Sequence, residues 1–367
     1  MRLALDGTPL LGRPTGVGRY VAGLVGGLVS LPDPPELVLT AFSWRGAADV
    51  AVPGGARWSG RRLPARLLQA AWAHGPLPPV EWLAGSCELF HATNYVLPPL
   101  RRAVGVVSVH DLSFALHRDT VTRQVLRYQE LVPRSLERAG AVLTLTHATA
   151  DEVADHYHLD RSRVRVARPG VGPEWLATAR PDPARLLADH DLPPSYLLFV
   201  GTQEPRKNLP VLLEALRLLE RDGVHHPPLV LAGPAGWGPP VDTTALAEGS
   251  VRRLGWVADE VLRDVVAGAA ALVFPSRHEG FGLPPLEALA CGTPVVSSDL
   301  PVLREVTGEH ATYAAVGDAV ALAERLIDVL ADDGGAPART ARRAHASTFT
   351  WERCAREARQ AYVAALA

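Results

Sequence analysis

The sequence predicts an α/β chain built as two doubly wound, parallel-sheet (Rossmann-like) domains. Three observations predict it. The chain has 367 residues, well past the length at which one hydrophobic core usually divides in two. Short apolar runs without polar alternation recur along it, as strands buried on both faces require, with helical patterns between them. A stretch rich in Pro, Asp and Ala, from Gly172-Pro173 to Leu192-Pro193-Pro194, interrupts the pattern midway and reads as an interdomain linker.

The first half carries the runs Leu3–Leu5, Leu37–Leu39, Leu89-Phe90, Val106–Val109 and Val142–Leu145. The second carries Tyr196–Val200, Leu229–Leu231, Ala271–Phe274 and Pro294–Val296. Residues 1–180 are therefore expected to form one domain and 181–350 the other. The last stretch, Trp351 to Leu366, repeats its apolar positions at helical spacing, with Thr350 placed as its N-cap.

Composition narrows the function. With 47% hydrophobic and 21% charged residues and a net charge of -2, the chain lacks the basic excess of a nucleic-acid binder. Its 3 cysteines, Cys87, Cys291 and Cys354, are far apart and outside any C-x-x-C pair, which argues against a metal cluster or a disulfide framework. No signal-peptide stretch follows Met1 and no run of about 18 apolar residues exists, so a cytoplasmic chain is expected.

In parallel sheets ligands bind beyond the carboxyl ends of the strands. Polar or glycine residues follow many of the predicted strands here, among them Asp6-Gly7, His91, His110-Asp111, Gly201-Thr202 and His278-Glu279. Two such rims facing one another would line an interdomain cleft.

Four groups carry more specific chemistry. In Glu279-Gly280-Phe281-Gly282-Leu283-Pro284-Pro285-Leu286-Glu287, a helix starts at Pro284 or Pro285 and stops at Gly292. Two carboxylates then flank a helix start whose N–H groups suit a diphosphate, with Glu287 in the first turn. Spacing alone equally allows a dipole-stabilising acid beside a solvated loop residue. Arg206-Lys207 precedes the helix Leu209 to Leu219. Two cations there oppose the helix dipole unless an anion joins them, although a solvated basic turn fits too. Thr15-Gly16-Val17-Gly18-Arg19-Tyr20 could bring backbone close to a ligand just before a helix. A dinucleotide fingerprint fails there, because Val21 stands where the third glycine belongs. His110 ends a strand beside Asp111 and reads as a capping or core histidine or as a site residue.

The block from Val273 to Asp299, with its Glu-x7-Glu spacing, resembles the retaining glycosyltransferases of the GT-B class, family 4, and so does Gly201-x4-Arg206-Lys207-Asn208. The Gly16-Val17-Gly18-Arg19-Tyr20 element is similar to that of mannosyltransferase members. The resemblance implies a GT-B fold: two facing domains, with the C-terminal helix 351–367 packed back on the first. It implies that Glu279 contacts the donor sugar, Glu287 the ribose, and Gly280, Phe281, Gly282 and Leu283 the sugar and diphosphate. Arg206 and Lys207 would bind the diphosphate beside Gly201, Gly16 and Gly18 would lie under the donor phosphate, and backbone near Val257 would meet the base. His110 would reach the transferred sugar or the acceptor.

The reaction expected is a metal-independent, retaining hexosyl transfer, with GDP-mannose the favoured donor and UDP- or dTDP-sugars the alternatives. No cofactor or metal ligand is expected. The acceptor would be a saccharide, a lipid-linked oligosaccharide or a natural product. A phosphorylase, a nucleotide-sugar hydrolase and a non-catalytic scaffold share the fold expectation. The basic, apolar stretch Arg61–Trp72 with Arg101-Arg102 suggests peripheral membrane contact, or a helix packed on its own domain. His156 and His158 have metal-like spacing but read as a helix end. The pattern sets no oligomeric state.

Overall fold

A computed structural model describes residues 1–12, 15–43, 52, 55–59 and 65–367. They divide into two compact units. Unit 1 comprises residues 1–116, 123–170 and 349–367, and unit 2 comprises 117–122 and 171–348. The Pro-rich stretch expected as a linker belongs to unit 2 and carries the helices Pro173–Ala177 and Pro183–His190.

The strands described in unit 1 are β1 (Arg2–Asp6), β2 (Glu36–Thr40), β3 (Ala56–Trp58), β4 (Leu89–Ala92), β5 (Val104–Ser108), β6 (Ala139–Thr144) and β7 (Val164–Val166). They lie in the order β3-β2-β1-β4-β5-β6-β7, every pair parallel. In unit 2 come β8 (Leu197–Val200), β9 (Leu229–Ala232), β10 (Val251–Gly255), β11 (Ala271–Phe274), β12 (Val295–Ser298) and β13 (Thr312–Ala314). Their order is β10-β9-β8-β11-β12-β13, again parallel. Each sheet therefore reverses its direction of growth once, between β1 and β4 and between β8 and β11. Those reversals open the crevices in which doubly wound sheets hold ligands.

The central strands are continuous apolar runs because helices cover both faces. Leu3, Leu5, Phe90, Phe199 and Phe274 are wholly buried. Helix ends follow local chemistry. Thr15 caps Gly16–Val29 by accepting the Gly18 N–H at 3.0 Å, and Thr350 caps Trp351–Leu366 by accepting that of Arg353. Gly292, at φ 80°, ends the helix Leu283–Cys291 in the left-handed conformation that suits glycine.

The helix Trp351–Leu366 completes unit 1, packing on Gly16–Val29 and on β5 and β6. A side chain at Gly27 would come within 2.3 Å of the Trp351 carbonyl oxygen, so these helices approach at backbone distance. Tyr362 joins a fully buried polar chain beneath them. Its hydroxyl meets His91 Nδ1 at 2.8 Å, His91 Nε2 meets Ser108 Oγ at 2.8 Å, and Ser108 Oγ meets the Tyr20 hydroxyl at 3.2 Å. Burial, and then the neighbouring His110, drive the His91 pKa down to about 3, which keeps the imidazole neutral.

Candidate functional site: a cation pair on a buried glutamate

The unit 2 crevice lies between Gly201, after β8, and the loop after β11. Gly201 has φ +147°, and a Cβ on Gly233 would sit 2.2 Å from the Gly201 carbonyl oxygen, so both positions need glycine. The chain then makes a tight 3-10 turn, Pro205–Lys207, before Asn208 starts the helix Leu209–Arg221 from a left-handed conformation. The turn is tied to the β11 loop by two hydrogen bonds. The Arg277 N–H donates to the Arg206 carbonyl at 2.9 Å, and Arg206 Nη1 donates to the His278 carbonyl at 2.9 Å.

This lacing brings Glu279 against both cations. Lys207 Nζ lies 2.6 Å from Glu279 Oε1, and Arg206 Nη1 lies 2.9 Å from Glu279 Oε2. Arg206 Nη2 also pairs with Glu204 at 2.7 Å, and Lys207 stands over the Phe274 ring. Burial alone would raise the Glu279 carboxyl, but Arg206 and Lys207 outweigh it and hold its pKa at about 2. The cluster concentrates a permanent carboxylate and two cations in a largely buried crevice, where an incoming dianion would share the two cations with Glu279.

The sequence placed Gly201, Arg206, Lys207 and Glu279 in one site, and the structure brings these four together. Gly280, Phe281, Gly282, Leu283 and Glu287 follow Glu279 directly. Gly282, at φ +101°, precedes the helix Leu283–Cys291. Because that helix begins at Leu283, ahead of Pro284, Glu287 is its fifth residue, past the first turn where it was expected, and is buried. Val257 is half-buried just beyond β10, beside a Trp256 that is about half exposed. Sequence reasoning missed Glu204 as a partner of Arg206. It also missed the turn at residues 117–122, which clusters with unit 2. There Trp237 Nε1 donates to the Thr120 carbonyl at 3.2 Å, and the His117 and His278 rings lie 4.9 Å apart.

Gly16, Gly18 and His110 belong to unit 1. The two glycines are the first and third residues of their helix and do not form a loop before it. The Gly18 N–H is taken by Thr15, and a Cβ on Gly18 would lie 2.7 Å from the Pro9 carbonyl oxygen. Packing against Pro9 therefore accounts for that glycine, while Gly16 has open space around it. His110 is buried, with Tyr20 and Tyr95 edge-on to its ring at 5.3 and 5.4 Å. Its Nε2 lies 2.8 Å from the Thr93 carbonyl, which can only accept, so Nε2 carries the proton and Nδ1 is the acceptor atom. Burial pushes its pKa below the ordinary range, against the opposing effects of the Thr93 carbonyl and Asp111.

Residues 194–332 match the model of the Glycosyl transferases group 1, and residues 14–175 that of Glycosyltransferase Family 4. The O-antigen chain mannosyltransferase B of Escherichia coli is 33% identical over 282 residues, covering 75% of this chain and 74% of that one. The chain belongs to the family 4, group 1 glycosyltransferases. This glycosyltransferase is also 34% identical over 251 residues to the D-inositol 3-phosphate glycosyltransferase of Streptomyces avermitilis, covering 62% of its own length and 52% of the relative's. In fold it resembles the sucrose-phosphate synthase of Thermosynechococcus elongatus, with a TM-score of 0.74 at 20% identity over 99% and 98% of the two chains. It also resembles Anabaena HepE in complex with UDP-glucose, with a TM-score of 0.70 at 17% identity over 98% of each. Its two parallel-sheet units are thus those of a GT-B glycosyltransferase.

The weaker sequence readings resolve differently. Arg61 to Pro64 lie outside the described residues. Trp72 is buried and donates its ring N–H to the Pro78 carbonyl at 2.9 Å, as the alternative of a helix packed on its own domain expects. His158 is the left-handed C-cap of the helix His147–Tyr157, and His156 packs on Tyr157. Cys87, Cys291 and Cys354 are free thiols. Among the described residues no helix is long and apolar enough to cross a membrane.

Proposed function

We propose that this glycosyltransferase transfers a mannosyl group from GDP-mannose to a saccharide or lipid-linked acceptor, with retention at the anomeric carbon and without a metal ion. The observation that carries the reading is the cluster of Arg206 and Lys207 on Glu279 at the unit 2 crevice. A departing nucleoside diphosphate gains negative charge, and two fixed cations in a water-poor site stabilise it with little reorganisation. They can do the work that a divalent ion does elsewhere. The name of the Escherichia coli relative favours mannose.

In the reaction, the bond from the anomeric carbon to the diphosphate oxygen breaks and a bond to the acceptor oxygen forms on the same face. The acceptor's proton passes to the leaving phosphate oxygen. Glu279 is committed to two cations and is a weak nucleophile at a pKa of about 2, which favours this route over a glycosyl-enzyme. Neutral His110 offers Nδ1 as an acceptor for a sugar hydroxyl.

The test is incubation with GDP-mannose and a saccharide acceptor in EDTA, with the product's anomeric configuration read by NMR. An α-linked product formed in EDTA supports the reading. Inversion, abolition by EDTA, or transfer only from UDP- or dTDP-sugars contradicts its corresponding part. Peripheral membrane contact would use unit 1, where Leu67, Leu77 and Trp82 are exposed and the exposed Arg101 and Arg102 donate their backbone N–H groups to Glu81, next to Trp82. Failure to bind anionic vesicles at low salt removes that part.

A further inference from the structure

Unit 1 holds a buried carboxyl, Asp6, that the transfer step has not used. Asp6 is the last residue of β1 and stands at the reversal between β1 and β4. It is 6% exposed. Its Oδ1 accepts the Thr8 N–H at 2.9 Å, and among the described residues it forms no ion pair. An ionised carboxylate in that position is costly, and such groups concentrate at functional sites.

Three elements of unit 1 converge on it. Its backbone carbonyl accepts the Thr93 hydroxyl at 2.7 Å, and the Thr93 carbonyl in turn holds His110. The turn that it braces, Thr8–Leu10, supports the helix start at Gly18 through Pro9. Tyr128 stacks on Tyr95 at 4.7 Å, and Tyr95 is edge-on to His110. The Tyr128 hydroxyl is raised first by burial and then by the charge of Asp6, which places the two groups in one electrostatic environment.

We propose that the Asp6 carboxylate is the acceptor-side subsite of this transferase, receiving a hydrogen bond from a hydroxyl of the incoming saccharide beside Tyr128 and His110. The proposal rests on the glycosyl-transfer reading. Asp6 orients the saccharide through a hydroxyl other than the attacking one, whose own proton leaves with the diphosphate, so no further reactant is needed. Burial holds the Asp6 carboxyl at about 6, the hydrogen bonds from Thr8 opposing it. The titratable groups around it are Tyr128, itself influenced by Arg127, and His110 beyond Thr93. Because His110 stays neutral below its ordinary range, a loss of transfer as the pH falls through about 6 reports Asp6.

The experiment compares the whole chain with Asp6→Asn, using GDP-mannose as donor and methyl α-mannoside as the acceptor probe. Asn keeps an oxygen for the Thr8 N–H but removes the charge. The expected result has three parts. The kcat/KM for the acceptor falls at least about tenfold, GDP-induced thermal stabilisation is unchanged, and the acid limb near pH 6 disappears. The variant should also melt several degrees higher than wild type at pH 7.5, because a buried uncompensated charge is gone. A variant with unchanged kcat/KM, or one that melts lower than wild type, overturns the proposal, because the carboxylate then only braces the turn. If the unaltered chain transfers nothing, the glycosyl-transfer reading fails separately. The melting comparison at pH 7.5 then decides whether Asp6 is the uncompensated charge that the subsite requires.

Discussion

Asp6 and Glu279 stand at the reversals of the two sheets, on opposite sides of them. One ends β1 and the other lies in the loop after β11, each beside the strand pair at which its sheet reverses. They are 6% and 7% exposed, so desolvation penalises both alike. Yet Asp6 is raised to about 6 and Glu279 is lowered to about 2. The difference is company. Glu279 has Arg206 and Lys207 within 2.9 Å, whereas Asp6 has a backbone N–H and a threonine. Burial sets how much an ionisable group is worth, and its partners set the sign. A carboxylate locked to cations suits a seat for a departing diphosphate. One left uncompensated suits a hydroxyl that arrives neutral.

The two carboxyls differ most in how they make stability depend on pH. The Glu279 carboxyl is lowered from 4.5, so its contribution is present above that value and is lost as the pH falls from about 4.5 towards 2. Glu279→Gln should cost about 3 kcal/mol at pH 7 and progressively less in acid. Asp6 has the opposite sign. Its carboxyl is raised from 3.8, so the folded state is penalised above about pH 6 and relieved as the pH falls towards 3.8. Asp6→Asn should therefore gain about 3 kcal/mol at pH 7.5, and this gain should vanish near pH 3.8. Urea melts of both variants against wild type, at several pH values, read the two curves. Curves of the same sign would refute the contrast.

A smaller effect sharpens the unit 1 side. Tyr362→Phe removes the hydroxyl on His91 Nδ1 and leaves that buried nitrogen without its bond, at a cost of about 1–3 kcal/mol. Melting at neutral pH should detect it. A neutral outcome would mean that the polar chain from Tyr362 to Tyr20 holds nothing together. The smallest effect belongs to an ion pair without burial. Arg221 and Asp222 are each more than half exposed, so Arg221→Ala should change stability by less than about 0.5 kcal/mol in the same assay. A larger loss would show that proximity, with no help from burial, controls these energies.

The sequence revealed the sheets unevenly, and the reason is visible in which strands escaped. All nine predicted apolar runs are strands. Among the described residues, the four unpredicted strands, β3, β7, β10 and β13, are the edges of the two sheets. Edge strands are covered on fewer sides, and theirs are only 3 to 5 residues long and partly exposed, so no continuous apolar run marks them. The unit 2 cluster was legible because Gly201, Arg206, Lys207 and Glu279 lie in two local motifs. The partnership between Arg206 and Glu279 spans more than 70 positions, however, and only the fold supplies it. Gly18 was read as a ligand-facing glycine because sequence cannot show that Pro9 lies against it. Asp6 was visible as a strand-end residue, but its lack of a cation is a property of space. Spacing carried no trace of it, nor of the link from Tyr362 to His91 across 271 positions.

Arg206 and Lys207 are proposed to form a diphosphate seat that needs no metal. Calorimetric titration of GDP into the wild-type chain and into Lys207→Ala, both in EDTA at fixed ionic strength, tests it most directly. Wild type should bind saturably, and binding should weaken at least about tenfold in the variant, as expected for the loss of one charge-assisted contact. Equal affinity in the two proteins, or binding that EDTA abolishes, would contradict it.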